Sequence, residues 1–178
     1  VVLQQMVTAR EKQLKLSVDL DHDLKPVMGE QQQLQRALWN LVSNAIKFTP
    51  LGGSITVSTR MVKKSISIQV ADTGAGMPKA ELSTLFSEFK RLKGTAHIEG
   101  TGLGLFIVKT IVESHQGTVS VESIEGTGTT FTIILPAAKD SWNGIQAETA
   151  AHEVPMKNSE PPHRTARGGK EPTAETFI

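Results

Sequence analysis

Glu30-Gln-Gln-Gln-Leu-Gln-Arg-Ala-Leu-Trp-Asn40-Leu-Val-Ser-Asn-Ala-Ile-Lys-Phe-Thr-Pro50 is the stretch whose reading decides the fold. At about 100° per residue, Leu34, Leu38, Leu41, Val42 and Ala45 share one face, the apolar stripe of a core-facing helix. The helix begins near Glu30 and stops at Thr49-Pro50, because a residue before proline is pushed out of the helical region. Asn40, Asn44 and Lys47 fall on another face, within roughly 60° of one another by the same geometry. Amide oxygens suit a hard cation such as Mg²⁺ that keeps waters and completes its shell with phosphates, and a lysine adds the compensating charge. A plain solvated polar face is the competing reading of these three residues.

Upstream, Val1 to about Leu14 carries Val2, Met6 and Ala9 among polar residues, a weakly amphipathic helix. Leu14 to Leu20 alternates with period two, which predicts a half-buried strand. Asp21 to Asp23 is a turn, and Pro26-Val27-Met28 has the make-up of a short edge strand. Downstream, Gly52-Gly53 is a turn. Ser54 to Met61 and Ser65 to Ala71 read as a hairpin around Val62-Lys63-Lys64. Pro78 sits at a favoured first-turn position for a short helix with Leu82 and Leu85 on its apolar side. Lys90 to Gly100 lacks periodicity and reads as a loop. Leu103 to His115 is a second core helix, ended near Gly117. Thr118 to Ser123 and Thr129 to Leu135 form a second hairpin joined by Glu125-Gly126-Thr127-Gly128. Beyond Pro136 the apolar pattern ends, and Lys139 to Ile178 has the composition of a disordered tail or linker. The order of elements predicts a two-layer α/β sandwich (α+β), one mixed, mostly antiparallel sheet with helices on one face.

The bulk properties are compatible with this. A chain of 178 residues, 38% hydrophobic and with a formal charge of +1, supports one soluble domain with an ordinary core. Near-balanced charge gives no electrostatic case for nucleic acid or an anionic membrane. Cysteine is absent, which excludes disulfides and thiolate metal sites and fits a reducing compartment. No apolar run approaches the roughly 20 residues of a membrane span. The first residue is valine, so a fragment of a longer protein is expected.

Two glycine-rich stretches carry chemistry. Asp72-Thr73-Gly74-Ala75-Gly76 follows directly on a strand, so Asp72 is presented at a strand end and the glycines admit close backbone approach. A carboxylate there can accept a hydrogen bond from an exocyclic amine such as that of adenine; a simple Asp-Gly turn is the alternative. Gly100-Thr101-Gly102-Leu103-Gly104-Leu105 runs into a helix, whose unpaired amides and dipole make an anion site. It is neither a Walker loop nor a dinucleotide fingerprint. Each signal alone is weak; their order along the chain is what carries weight.

Taken together, these motifs resemble the ATP-binding catalytic domain of sensor histidine kinases, within the superfamily of gyrase, heat-shock chaperones, histidine kinases and MutL. The resemblance runs from about Leu14 to Pro136. It implies a Bergerat fold with a sheet of about five strands over residues 14–137. It further implies a junction helix at 1–13 leading from a missing dimerisation and phosphoacceptor domain, and a tail at 138–178. Asn40 to Pro50 looks like the N box, Asp72 to Gly76 and Gly100 to Gly104 like two glycine boxes, and Phe86-Ser87-Glu88-Phe89 like the phenylalanine box. Gly126 to Thr130 is similar to the last glycine motif. By that likeness Asn44 and Asn40 hold Mg²⁺, Lys47 and Phe48 line the nucleotide, and Asp72 takes the adenine amine with Gly74 and Gly76 beside it. Gly100, Thr101, Gly102, Leu103 and Gly104 wrap the phosphates, Thr130 (or Thr129) supports the base, and Lys90 to Thr101 forms the ATP lid. Arg91 matches an arginine that faces the phosphates or the partner domain, so Asn40, Lys47 and Arg91 are the implied catalytic set.

The likeness implies transfer of the ATP γ-phosphoryl group to a histidine on the separate domain, for relay to a response regulator receiver domain. None of His22, His97, His115, His152 and His163 sits in the phosphoacceptor's usual setting, a histidine followed by an acidic residue within an amphipathic helix. The superfamily's hydrolases place a glutamate where this chain has Asn40, and an amide is no general base. Transfer is therefore expected over hydrolysis, with little turnover by the fragment alone. The implied domain is cytoplasmic and belongs to a homodimer, with which a membrane anchor elsewhere in the full protein is compatible. An ATP-driven conformational switch, a serine kinase of the anti-sigma type and a degenerate binding scaffold are the alternatives.

Overall fold

The structure, a computed structural model, describes residues 1–89 and 101–138. Its elements are α1 (Val2–Glu11), β1 (Lys15–Leu20), α2 (Gln31–Phe48), β2 (Ser54–Val62), β3 (Ser65–Asp72), α3 (Lys79–Leu82), α4 (Gly104–Ser114), β4 (Thr118–Ile124) and β5 (Gly128–Pro136).

Of the expected apolar stripe of α2, Leu41, Val42 and Ala45 lie in the core and Leu34 and Leu38 pack half-buried against it, and Ala37 and Ile46, outside that stripe, are buried as well. Burial of each such leucine, valine or isoleucine contributes about 1.5–3 kcal/mol. Two features close the helix. Buried Thr49 returns both its N–H (3.0 Å) and its Oγ1–H (2.6 Å) to the Ala45 carbonyl. Lys12, just past the end of α1, places Nζ 2.7 Å from the Ile46 carbonyl and 2.8 Å from that of Lys47. An ammonium on the last-turn carbonyls is favoured by the helix dipole as well as by the hydrogen bonds. The first helix is thus fastened to the end of the second.

The five strands form one sheet in the order β1-β2-β3-β5-β4. β1 and β2 are parallel, with α2 as the crossover between them, and every other pair is antiparallel. Ile55, Val57, Val70, Phe131, Ile133 and Leu135 bury one face under α2 and α4. The other face is largely hydroxyl and amide: Ser58 lies opposite Gln69, and Gln69 opposite Thr132. Helices on one side and a polar far side give the two layers expected from the order of elements.

The structure departs from expectation in two places. The alternation in β1 predicts a half-buried strand, yet only Leu16 is half-buried, and Val18 and Leu20 are 44% and 52% exposed. β1 is an outermost strand, and period two reports which residues share a face, not whether a second layer covers it. The end of α4 falls near Gly117 as expected, with Gln116, at φ 58°, as the left-handed residue. Gly117 serves close packing instead, since a Cβ there would lie 2.5 Å from the Ile134 carbonyl oxygen. The short edge strand expected at 26–28 is a single bridge from Val27 to Ala137, continued by Ala138 N–H to the Pro26 carbonyl at 2.8 Å. The loop at 90–100 and the tail from 139 onward lie outside the described residues.

Candidate functional site

Asp72 is the last residue of β3. The Gly74 N–H donates to its Oδ1 at 2.8 Å, and Thr129 stands opposite it in the ladder, its backbone N–H near enough to act on the carboxyl. Burial nevertheless pushes the carboxyl above its ordinary value, with the two N–H groups pulling in the opposite direction. A half-buried acceptor with fixed orientation results. Its surroundings explain both glycines after it. A Cβ at Gly74 would lie 2.6 Å from Asp72 Oδ1 and 2.7 Å from the Phe48 carbonyl oxygen. Gly76 has φ 63°, and a Cβ there would lie 2.0 Å from the Ile124 carbonyl oxygen.

The loop carrying these glycines is docked on the end of α2, where the Ala75 N–H reaches the Phe48 carbonyl at 3.3 Å. On its other side, the Gly126 N–H donates to the Ala75 carbonyl at 2.7 Å. Two turns back along α2, Asn40 meets the start of α4. Its Nδ2 donates to the Arg36 carbonyl at 3.0 Å, and its Oδ1 lies 3.2 Å from where a Gly104 Cβ would stand. The start of α4 carries no side-chain cap. Gly102 takes φ 76°, and the Leu103 N–H is 3.4 Å from Thr101 Oγ1. First-turn N–H groups left without a side-chain partner form a ready anion site.

One helix therefore touches two of the sequence-predicted stretches, with Phe48 at the Asp72 loop and Asn40 at the glycine helix start. The step of eight residues from one to the other rises about 12 Å. Asn44 and Lys47 lie between on the same helix, both half-buried, and Lys47 Nζ stands 5.6 Å from the centroid of the Phe48 ring. Asp72, Gly74, Gly76 and Phe48 are brought together at one end, and Asn40, Leu103 and Gly104 gather at the other. Thr130 is not brought to Asp72. It pairs with Ala71, whereas Thr129 pairs with Asp72, so alternation puts the Thr130 side chain on the opposite face. Arg91 and Gly100 lie outside the described residues.

Ser123 was not among the residues that sequence reasoning marks. In β4 it occupies the inward position that follows Val119 and Val121, and it bonds to the loop after Asp72. A polar residue on the apolar side of an alternating strand is the signal that points to it. Among the described residues no group of three or more His, Cys, Asp or Glu is placed to hold a metal. A cation here would take its shell from amides, phosphate oxygens and water, the donor set offered by Asn40 and Asn44. No helix of the described residues is long and apolar enough to cross a membrane. An apolar cavity of about 320 Å³ lies elsewhere, between the first half of α2 and the sheet residues Ile68, Ile133 and Leu135.

A mixed five-stranded sheet covered on one face by helices, with its strand-end acid and a glycine helix start both docked on one of them, defines a Bergerat fold. Residues 29–139 match the family of histidine kinase-, DNA gyrase B- and HSP90-like ATPases, and the chain belongs to that family. It is 39% identical over 126 residues to the adaptive-response sensory kinase SasA of Synechococcus sp. (strain JA-3-3Ab), covering 70% of this chain and 33% of that protein. The chain thus spans about a third of the length of the curated relatives it matches. Among solved structures, the mycobacterial sensor histidine kinase MprB superposes with a TM-score of 0.66 at 28% identity, over 76% of this chain and 93% of that one. Full-length ShkA in complex with AMPPNP gives a TM-score of 0.69 at 26% identity, over 78% of this chain and 28% of that one.

Proposed function

We propose that this chain is the ATP-binding catalytic domain of a sensor histidine kinase. It transfers the γ-phosphoryl group of ATP to a histidine on a separate dimerisation domain, for relay to a response regulator receiver domain. The observation that carries this reading is the double docking on α2, with the Asp72 loop on Phe48 and the start of α4 on Asn40. The base lies at the Asp72 end and the triphosphate runs toward Asn40 and the uncapped N–H groups of α4. Asp72 accepts from the adenine amine with Thr129 beside it, while Asn44 and Asn40 offer amide oxygens to Mg²⁺. Lys47 adds positive charge on the phosphate side.

When bound, ATP supplies the phosphoryl group and Mg²⁺ neutralises charge on the phosphates. The protein's share is positioning and electrostatics more than bond making. Asn40, an amide whose N–H is committed to Arg36, has no lone-pair base to activate water, and residues 36–39 hold no carboxylate. This favours transfer to a protein group over hydrolysis. The AMPPNP bound in ShkA, whose fold this chain shares, supports a nucleotide at this site.

Calorimetric titration of the chain with ATP, with and without Mg²⁺, tests the binding half. Binding that Mg²⁺ strengthens in the parent but not in Asn44→Ala is expected, and no binding under either condition overturns the reading. Addition of a separately made histidine-hairpin domain tests the transfer half. An acid-labile phosphate on that domain is expected, and rapid hydrolysis without it would place the chain with the ATP-driven switches.

A further inference from the structure

The strand-end acid has a support that no motif marks. Ser123 Oγ accepts the Met77 N–H at 2.9 Å and donates to the Gly128 carbonyl at 2.9 Å. It also lies 3.0 Å from Thr129 Oγ1. A hydroxyl has one hydrogen and two acceptor positions. With its hydrogen given to Gly128, Ser123 accepts from Met77, and the Thr129 hydroxyl must be the donor in the third bond. All three capacities of one side chain are therefore spent on three backbone or buried groups. These groups lie on both sides of the acid, because Met77 follows its glycine loop and Gly128 and Thr129 open β5.

We infer that Ser123 is a positioning residue for Asp72, holding Thr129 and the 74–77 loop against the acid so that its carboxylate faces an exocyclic amine. The contacts close a ring. Ser123 fixes Thr129 and Met77, Thr129 pairs with Asp72 across the ladder, the Gly74 N–H donates to the Asp72 carboxylate, and Gly74 and Met77 belong to one short loop. Gly128 tightens the same ring, since a Cβ there would lie 2.0 Å from the Asp72 carbonyl oxygen. Removing the Ser123 oxygen strands the Met77 N–H, the Gly128 carbonyl and the buried Thr129 hydroxyl together. The groups best able to relieve this are the ones that orient the acid. Ser123 thereby contributes to adenine selectivity without touching the nucleotide.

This inference rests on the proposed nucleotide site, and its test separates the two. Binding of ATP and of purine riboside triphosphate, which lacks the exocyclic amine, is measured by calorimetry for the parent, Ser123→Ala and Ser123→Thr. The parent is expected to prefer ATP. Ser123→Ala should lose about five- to tenfold in ATP affinity, the scale of one hydrogen bond, with less than a twofold change for the amine-free analogue. Ser123→Thr, which keeps the hydroxyl, should restore the preference. In the nucleotide-free protein, the Asp72 carboxyl followed by NMR should titrate higher in Ser123→Ala than in the parent, because a donor to the carboxylate has moved away. A parent that does not distinguish the two nucleotides overturns the site itself. If the parent distinguishes them and Ser123→Ala does so equally well, or weakens both alike with Asp72 titrating unchanged, the positioning role is overturned alone. Should Ser123→Ala fail to fold, Ser123→Cys carries the same comparison.

Discussion

Gly76 and Gly126, both near Asp72, have left-handed backbones, and of this pair only Gly76 is also crowded. Gly76 has φ 63° and Gly126 has φ 79°. A Cβ at Gly126 meets nothing within 4 Å, whereas one at Gly76 stands 2.0 Å from the Ile124 carbonyl oxygen and 2.6 Å from its carbon. Gly126→Ala therefore carries the conformational penalty alone, about 1–2 kcal/mol. Gly76→Ala carries that penalty and must also push the 74–77 loop away from the β4–β5 turn. Real Cβ contacts stay beyond 3.0 Å, so the displacement is on the scale of an ångström. Movement of that size breaks the bond from Gly126 N–H to the Ala75 carbonyl at 2.7 Å and that from Met77 N–H to Ser123 Oγ at 2.9 Å. Each is worth about 0.5–1.5 kcal/mol, which brings Gly76→Ala to about 2–5 kcal/mol. At about 4 °C per kcal/mol for a domain of this size, the expected fall in Tm is about 4–8 °C for Gly126→Ala and about 8–20 °C for Gly76→Ala. Differential scanning calorimetry measures both. ATP titration well below the lower Tm should show weakened binding for Gly76→Ala only. Two variants melting within a degree or two of each other, or full ATP affinity in Gly76→Ala, would refute the argument that this contact aims the acid.

Asp72→Asn should lose about 1–3 kcal/mol of ATP binding, roughly 5- to 150-fold, because the amide meets the adenine amine with a donor or leaves one backbone N–H unpaired. The same variant tests the pH linkage. The Asp72 carboxyl is raised above its ordinary 3.8 in the fold, chiefly by burial, so the fold takes up this proton more readily than the unfolded chain. Its contribution favours the fold below the unfolded-state value and is lost as pH rises through the folded-state value. The Tm of the nucleotide-free parent relative to Asp72→Asn should fall across that window on going up in pH, and a constant difference would count against the burial argument. Lys12→Met keeps the aliphatic stem but removes the ammonium from the Ile46 and Lys47 carbonyls. A loss of about 0.5–2 kcal/mol is expected by denaturant unfolding, given the favourable charge at a helix C-terminus; an unchanged midpoint would show the cap to be idle.

The parts of the fold legible in the sequence are those that a single element declares about itself. The 3.6 period of α2 predicts its core-facing side, with Leu41, Val42 and Ala45 buried and Leu34 and Leu38 packed against them, because a stripe that wide has nowhere to go but a core. Lys63-Lys64 and Gly126 announce hairpin turns, since they interrupt two alternating runs. What a second element decides was not legible. The exposure of Val18 and Leu20 depends on whether a helix lies over β1, and the left-handed residue after α4 depends on where the chain must turn, which selected Gln116 although Gly117 stands next to it. The Lys12 cap joins residues 34 and 35 apart in sequence, so no local pattern carries it.

The candidate site divides along the same line. Motif composition marks the stretches that meet on α2, but within a stretch it cannot choose between adjacent residues, because a strand sends neighbours to opposite faces. Thr129 and Thr130 are chemically identical and consecutive. Only the register of β3 on β5, Asp72 opposite Thr129 and Ala71 opposite Thr130, puts the first beside the acid and the second across the sheet. The same parity brings Ser123 inward, in line with Val119 and Val121, where an apolar residue would suit the core better. A hydroxyl retained at a position that burial disfavours must be offset by its bonds, and each of its three bonds leads to the segments that hold Asp72. On the proposed assignment of Asp72 to the adenine amine, the acid owes its aim both to the glycines that mark it and to a pairing register set from β5 and transmitted through one serine.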